Sequence, residues 1–168
     1  MERIEALLVI AGLLILSIVG YAVTSTSSKG EATCPAPPSF NNFNAGVLHL
    51  SPTAISTTVG KSVKVTGEVE SGSYSVNGRE CPYYGRVSIL VYEGPQLGGA
   101  WNVIVNNLTA PNDVKVLVSP GEFYLPPKGS VDFNLTLTPL TRGSFHIYVV
   151  AVSDRGWRAW AELNVTAE

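Results

Sequence analysis

The chain has 168 residues, of which 14% are charged, and its formal net charge is −2. This length fits one domain and a short additional segment, because domains usually contain about 100–200 residues. The charged fraction is low against the roughly 25% of soluble globular domains, which indicates that part of the chain is not surrounded by water. The near-neutral charge, without a basic patch, excludes nucleic acid as the expected partner. The 16 glycines and 11 prolines are spread along the chain and exclude a long coiled coil.

The first apolar stretch, residues 6–23, contains no charged residue. As a helix it would be about 27 Å long, close to the thickness of the hydrocarbon core of a bilayer. A cleaved signal peptide is the alternative, but it usually has a shorter apolar region and a small-x-small cleavage site, for which Ala22-Val23-Thr24 is a poor candidate. We therefore expect residues 1–5 to be a cytoplasmic stub and residues 6–23 to be a retained transmembrane helix in the lipid bilayer of the cell membrane.

Residues 24–45 have the composition of a linker. Small hydroxylated residues come first (TSTSSKG) and indicate a flexible spacer. The segment CPAPP follows, and each of its prolines fixes φ and opposes helix formation. Residues 46–168 show no helical stripe, and we predict that they form a single extracytoplasmic domain.

Period-two alternation of apolar and polar residues predicts β-strands in this domain. It is clearest at residues 131–138 (VDFNLTLT) and 157–165, whereas residues 144–153 are more continuously apolar, as a central strand covered on both faces would be. Trp157 is expected in the core. Further runs, separated by turn sequences such as NG and PG, lie at residues 47–50, 62–70, 86–93, 101–105 and 114–118. Eight or nine short strands predict an all-β, immunoglobulin-like two-sheet Greek-key sandwich, with a closed barrel as the alternative.

The only two cysteines, Cys34 and Cys81, can form one disulfide. In the chain-entropy model, closing a loop of this length stabilises the fold by about 4 kcal/mol, and the bond requires an oxidising compartment. An inert staple between the Pro-rich arm and the sandwich is the simplest interpretation. A redox-active pair is an alternative, because a thiolate-bearing substrate can attack a disulfide and form a mixed disulfide. Two free thiols are the third interpretation.

A metal site has to be considered because His49 and His146 accompany the cysteines. A blue-copper centre needs two His, one Cys and usually an axial Met, whereas the only methionine is Met1. Zinc would have to draw on both cysteines and both histidines, and no C-x2-C pairing is present. We expect no metal site, and His146 is predicted to lie on a strand surface.

Three N-x-T sequons stand at Asn107, Asn134 and Asn164. Asn134 and Asn164 fall on polar positions of predicted strands, where a glycan would point to solvent. Three sequons in a body this small predict a glycosylated surface domain. With the disulfide they also set the orientation, N-terminus inside and body outside, which the flanking charges Arg3 and Lys29 determine poorly.

Four arginines form a candidate anion site. Arg142, Arg155 and Arg158 lie in or near two turns late in the chain, and Arg86 is the fourth member. A guanidinium binds oxyanions in a fork at any pH, so such a cluster would hold a small anion. Ordinary surface arginines are the alternative interpretation. The sequence contains no G-x-S-x-G motif, and it suggests no catalytic triad.

The organisation of the chain resembles a known family. One N-terminal span, a Thr/Ser spacer, a sandwich with Cys34 and Cys81, several sequons and the stretch GRVSILVYEGP at residues 85–95 make the chain similar to the small subunit (DoxA-type) of archaeal thiosulfate:quinone oxidoreductase. The resemblance implies oxidation of thiosulfate to tetrathionate outside the cell, with electrons passed to quinone through a larger multi-span membrane subunit. It assigns no catalytic residue and no bound cofactor to this chain.

On this hypothesis the multi-span partner binds quinone, while the present chain covers its outer face and helps to position thiosulfate. If the cysteines take part, one thiosulfate attacks the Cys34–Cys81 bond and a second releases tetrathionate, leaving a dithiol that reduces quinone. Two alternatives differ in class. One is a non-enzymatic Ig-like surface or filament module, and the other is an accessory subunit of a terminal oxidase.

Overall fold

The computed structural model describes residues 34–35, 47–96 and 108–168. The predicted stub and transmembrane helix, most of the linker and the predicted strand at residues 101–105 lie outside the described residues. In the part of the chain that the structure describes, no helix is long and apolar enough to cross a membrane. A compact unit spans Pro35–Glu168 and therefore contains the whole of the predicted domain.

The described residues form eleven β-strands, and no helix is present among them. The strands are β1 (Leu48–Ser51), β2 (Ala54–Thr57), β3 (Val63–Glu70), β4 (Ser73–Val76), β5 (Arg79–Pro82), β6 (Gly85–Gly94), β7 (Val114–Ser119), β8 (Glu122–Leu125), β9 (Ser130–Pro139), β10 (Gly143–Ser153) and β11 (Arg158–Ala167).

Two large sheets and one separate hairpin organise these strands. The four-stranded sheet has the order β1-β3-β9-β7, the five-stranded sheet has the order β2-β11-β10-β6-β8, and β4 pairs only with β5. The parallel pair β2–β11 is the exception among otherwise antiparallel ladders of the described strands. The prediction of an all-β, two-sheet sandwich is confirmed, and the closed barrel is not formed. The strand total of eleven exceeds the predicted eight or nine, because short strands such as those of the β4–β5 hairpin were missed.

The core lies between the two large sheets. On β9, Phe133, Leu135 and Leu137 are wholly buried, while the residues between them are more exposed, as the alternation in the sequence predicts. The rings of Phe123 on β8 and Phe133 on β9 stack with their centroids 6.5 Å apart, so the two sheets are in direct contact. Trp157 is buried in the same cluster, which confirms its predicted place in the core.

Strand β10 is covered on both faces, as its continuous apolar sequence predicts. Ile147, Val149 and Ala151 belong to the core between the sheets. Tyr148 and Val150 point to the opposite face, which we call the outer face of the five-stranded sheet, and they are buried there with Tyr92, Leu108, Val152 and Trp160 packed around them.

Candidate functional site

The β4–β5 hairpin carries Cys81 and is built by a tight turn. Asn77 and Gly78 both have positive φ, 52° and 76°, which is the backbone of a two-residue hairpin turn that Asn-Gly favours. Tyr74 lies directly opposite Cys81 in the ladder, so their side chains share one face of the hairpin. The hairpin therefore sets an aromatic ring beside the disulfide.

Both cysteines are disulfide-bonded, as the staple and the redox-active interpretations both require, so the interpretation as two free thiols is wrong. Cys81 is wholly buried, and Cys34 is partly exposed. The hydroxyl of Tyr74 donates a hydrogen bond of 2.6 Å to the carbonyl oxygen of Pro35, the residue after Cys34. Thiol–disulfide exchange requires access to the attacked sulfur, so the burial of Cys81 favours a structural bond.

An aromatic cluster joins the hairpin to the sandwich. The ring centroids of Tyr74 and Tyr83 are 5.0 Å apart, and those of Tyr83 and Trp157 are 5.7 Å apart. The indole N–H of Trp157 donates to the carbonyl oxygen of Tyr84 at 3.0 Å, and the backbone N–H of Tyr83 donates to the carbonyl oxygen of Gly72 at 2.8 Å. No local sequence signal marks this cluster, because Trp157 is distant along the chain from Tyr74 and Tyr83.

Burial changes the acidity of two tyrosines in this cluster. It raises the pKa of Tyr83, and the neighbouring hydroxyl of Tyr74 adds to the increase. It also raises the pKa of Tyr74, although the positive charge of Arg155 acts in the opposite direction and lowers it. Both hydroxyls are therefore held in their neutral form beyond the pH at which an exposed tyrosine ionises.

The four arginines of the predicted anion site do not come together. Arg142 precedes β10, whereas Arg155 follows it, and a strand of this length separates them by about 33 Å. Arg158 on β11 lies opposite Val152, near the end of β10 that leads to Arg155. Arg86 lies at this end too, because its carbonyl accepts a hydrogen bond from the N–H of Asp154. The four arginines therefore do not form a single cluster, because Arg142 lies at the opposite end of β10 from the other three. An anion site at these residues stays a prediction.

Arg155 is engaged by the fold. Its guanidinium carbon lies 4.3 Å from the centroid of the Tyr84 ring, in a cation–π contact. The carboxylate of Asp154 accepts a hydrogen bond of 3.1 Å from the backbone N–H of Arg86. Gly85 permits this approach, since it has a φ of 125° and a Cβ there would stand 2.5 Å from Asp154 Oδ1.

The two histidines lie on the outer faces of different sheets. His49 is exposed on β1 of the four-stranded sheet, and His146 is partly buried on β10 of the five-stranded sheet. Within residues 34–35, 47–96 and 108–168 no group of three or more His, Cys, Asp or Glu is placed to hold a metal ion. The zinc set considered from the sequence is thus not brought together.

The sequon asparagines that the structure describes are both exposed. Asn134 lies on the outer face of the four-stranded sheet, and Asn164 lies on the outer face of the five-stranded sheet. Asn107 lies outside the described residues. The two glycosylation candidates therefore stand on opposite outer faces of the sandwich.

An open groove of about 610 Å³ lies beside the hairpin. It is lined by Glu68, Glu70, Ser71, Gly72, Ser73, Glu80, Pro82, Lys128, Gly129 and Ser130, and three carboxylates give it an acidic character. Ser71 connects two parts of the chain beside the groove, since its hydroxyl donates to the Tyr83 carbonyl at 2.6 Å and accepts from the Lys128 N–H at 3.1 Å. Its lining comes from three separate parts of the chain, so no local sequence signal marks it.

The chain matches no protein-family model and no curated protein sequence. Among solved structures it is similar to domains 4 and 5 of the S-layer protein SbsC, with 11% identity, a TM-score of 0.41 and coverage of 71% of this chain and 50% of that one. It is also similar to WR4, a C. elegans MSP family member (12% identity, TM-score 0.41, 73% and 98% covered), and to PapD-like domain 7 of human CEP192 (12%, 0.39, 86% and 94%). At these scores the similarities assign no function to the chain.

Proposed function

We propose that this chain is a non-enzymatic, immunoglobulin-like Greek-key module that an N-terminal anchor holds at the outer face of the cell membrane, as a subunit of an envelope or a filament. The disulfide with its buried Cys81 carries this proposal. A disulfide persists in an oxidising compartment, and a buried sulfur is protected from exchange. The bond therefore fits a stabilising role outside the cytoplasm.

The groups around the disulfide are used by the fold. The Tyr74 hydroxyl binds the Pro35 carbonyl, the Trp157 indole N–H binds the Tyr84 carbonyl, and the Arg155 guanidinium lies over the Tyr84 ring. Each of these contacts fixes the hairpin or the turn before β11. The polar and charged side chains near the disulfide thus stabilise the structure.

The positions of the sequons support an exposed module. Asn134 and Asn164 project from the two opposite outer faces. Glycans at both positions would cover the broad faces with sugar. The edges of the sheets would then be the surfaces that remain for contacts with other proteins.

The small-subunit hypothesis for thiosulfate:quinone oxidoreductase stays a prediction, together with its multi-span partner and quinone as electron acceptor. The presence of a disulfide is the observation that favours it. Since Cys81 is buried, a thiosulfate would have to attack the sulfur of the partly exposed Cys34. This requirement makes the two functions separable by experiment.

The test uses the full chain, tagged, in its native host. We expect protease added to intact cells to digest the tagged chain, its mass to show one disulfide, and membranes with Cys34→Ser/Cys81→Ser to retain any thiosulfate-dependent quinone reduction of the wild type. Tyr74→Phe is the matched control, because it weakens the same hairpin while keeping the disulfide.

Two outcomes contradict the proposal. A chain that is protected from protease and has reduced thiols would overturn its location. Quinone reduction that co-purifies with the chain and disappears in the cysteine variant, but not in Tyr74→Phe, would overturn its non-enzymatic role and establish the relay.

A further inference from the structure

We propose that the outer edge of β7 pairs, antiparallel, with β7 of a second copy of this chain, so that two four-stranded sheets join into one continuous sheet. The two-fold axis would pass through Leu117. This inference rests on the proposed function for its cellular setting and deepens it by naming the partner of the module.

Among the strands that the structure describes, β7 is the longest at an edge of the two large sheets. It has six residues, whereas the other three edge strands, β1, β2 and β8, have four each. Among the described residues its neighbour in the sheet is β9 alone. Proteins usually protect sheet edges by shortening the strand, by placing a proline in it or by charged side chains, above all Lys. β7 is neither short nor interrupted by proline, and Lys115 is its one charged residue. Its length makes it a template for another strand.

The backbone groups that β7 presents to the outside can be identified. The N–H of Leu140 donates to the carbonyl of Asp113 at 2.8 Å, just before the β7–β9 ladder begins at Val114 opposite Pro139. Backbone groups alternate between the two sides of a strand, so Lys115, Leu117 and Ser119 face β9 with their N–H and C=O. The N–H and C=O groups of the three alternate residues, Val114, Val116 and Val118, therefore point to the outer edge.

The side chains on this strand suit an apolar contact. Leu117 is 59% exposed on the outer face of the sheet, although it is a large aliphatic residue in the middle of a strand. Val116 and Val118 are half-buried toward the core side, and Lys115 and Ser119 flank Leu117 on the outer face. Burying Leu117 against an apolar partner would be favourable.

The sequence of β7 is complementary to itself in one antiparallel register. With Leu117 on the two-fold axis, each Leu117 packs against its copy, and Val116 of one chain exchanges two hydrogen bonds with Val118 of the other. Lys115 then lies opposite Ser119, so no like charges face each other. A register centred on Val116 would instead place Lys115 against Leu117. This complementarity identifies a second copy as the occupant.

A single edge contact of this kind is small, and anchoring in a membrane would strengthen it. Two chains held at the same surface have a high effective concentration, which converts a weak pairing into a populated one. The pairing is therefore best tested in membranes by cross-linking at a chosen position.

The experiment introduces Leu117→Cys into the full chain and oxidises native-host membranes mildly. Residues facing each other in a non-hydrogen-bonded antiparallel pair have Cα atoms about 4.5 Å apart, within the range of a disulfide. We expect a cross-linked dimer. Lys115→Cys is the matched control on the same strand and face, since its copy would be about 13 Å away and should not cross-link. Tyr124→Cys, at a side chain 60% exposed on edge strand β8, controls for exposure alone.

A second variant tests the backbone pairing. Val116→Pro, added to Leu117→Cys, removes an outward N–H that the ladder with β9 does not use, so the domain should fold and the dimer should disappear. Circular dichroism and an intact Cys34–Cys81 bond report folding.

The proposal is overturned if folded Leu117→Cys stays monomeric, if Lys115→Cys cross-links equally, or if Val116→Pro leaves the dimer unchanged. A surface-exposed, disulfide-bonded monomer would overturn this inference alone, whereas reduced thiols and protection from protease would overturn the proposed function.

Discussion

Tyr83 shows how a single side chain links packing to acidity. It is buried between Tyr74 and Trp157, and this burial is the main cause of its raised pKa. The same ring connects the disulfide hairpin to the core of the sandwich. Ionising Tyr83 would therefore place a negative charge in the buried contact between the disulfide hairpin and the core of the sandwich.

The stability of the protein should fall at alkaline pH because of this group. The unfolded chain ionises its tyrosines near pH 10, whereas folded Tyr83 ionises only at a higher pH. Its contribution is thus complete below about pH 10 and is lost as the pH rises through the folded pKa. Chemical denaturation between about pH 8 and pH 11 should show that the free energy of unfolding falls less steeply with pH in Tyr83→Phe than in the wild type. The exposed Tyr124→Phe is the control, and an equal slope for Tyr83→Phe and wild type would contradict the assignment.

At the scale of elements, β3 and β9 are held together by a close contact that the alternation pattern does not reveal. Gly67 on β3 lies opposite Phe133 on β9, and the ring of Phe133 covers it so closely that a Cβ would overlap the ring. A glycine inside a strand often marks such an approach. The missing side chain at Gly67 is what lets a wholly buried Phe133 fit the core.

Replacing Gly67 with Ala should therefore destabilise the domain by about 1–3 kcal/mol, the usual cost of overpacking a core. Urea unfolding measures this change. Gly121→Ala is the control, because its nearest contact would be at 4.0 Å, and we expect little loss there. The double variant Gly67→Ala/Phe133→Leu should lose less free energy of unfolding than the sum of the losses in the two single variants. Strictly additive losses would contradict the contact.

The Cys34–Cys81 bond acts at the scale of the whole molecule, because it constrains a long loop of the unfolded chain. Cys34→Ser/Cys81→Ser should lower the free energy of unfolding by about 4 kcal/mol, and reduction of the wild type should have the same effect. Thermal unfolding with and without reductant checks both. A reduced wild type as stable as the oxidised one would show that the bond contributes nothing to the fold.

The amino-acid sequence by itself determined the long strands. Regular burial of one face imposes period-two alternation, so residues 131–138, 144–153 and 157–165 were predicted within about two residues of β9, β10 and β11. It also limited any disulfide within the chain to Cys34–Cys81, since the chain has only two cysteines. Of the five described four-residue strands, β1 lies within one residue of the run predicted at 47–50, whereas β2, β4, β5 and β8 were not predicted, because a run so short shows too little of a period.

The tertiary structure alone decided which distant residues meet. Arg142 and Arg155 are close in sequence but lie at opposite ends of β10, whereas Tyr83 and Trp157 are distant in sequence and in contact. The order of strands in the sheets sets these neighbours, and among the described residues it also places β7 at an edge. Alternation tells which face of a strand is buried; it carries no information about which strand lies beside it, because that choice depends on long-range packing.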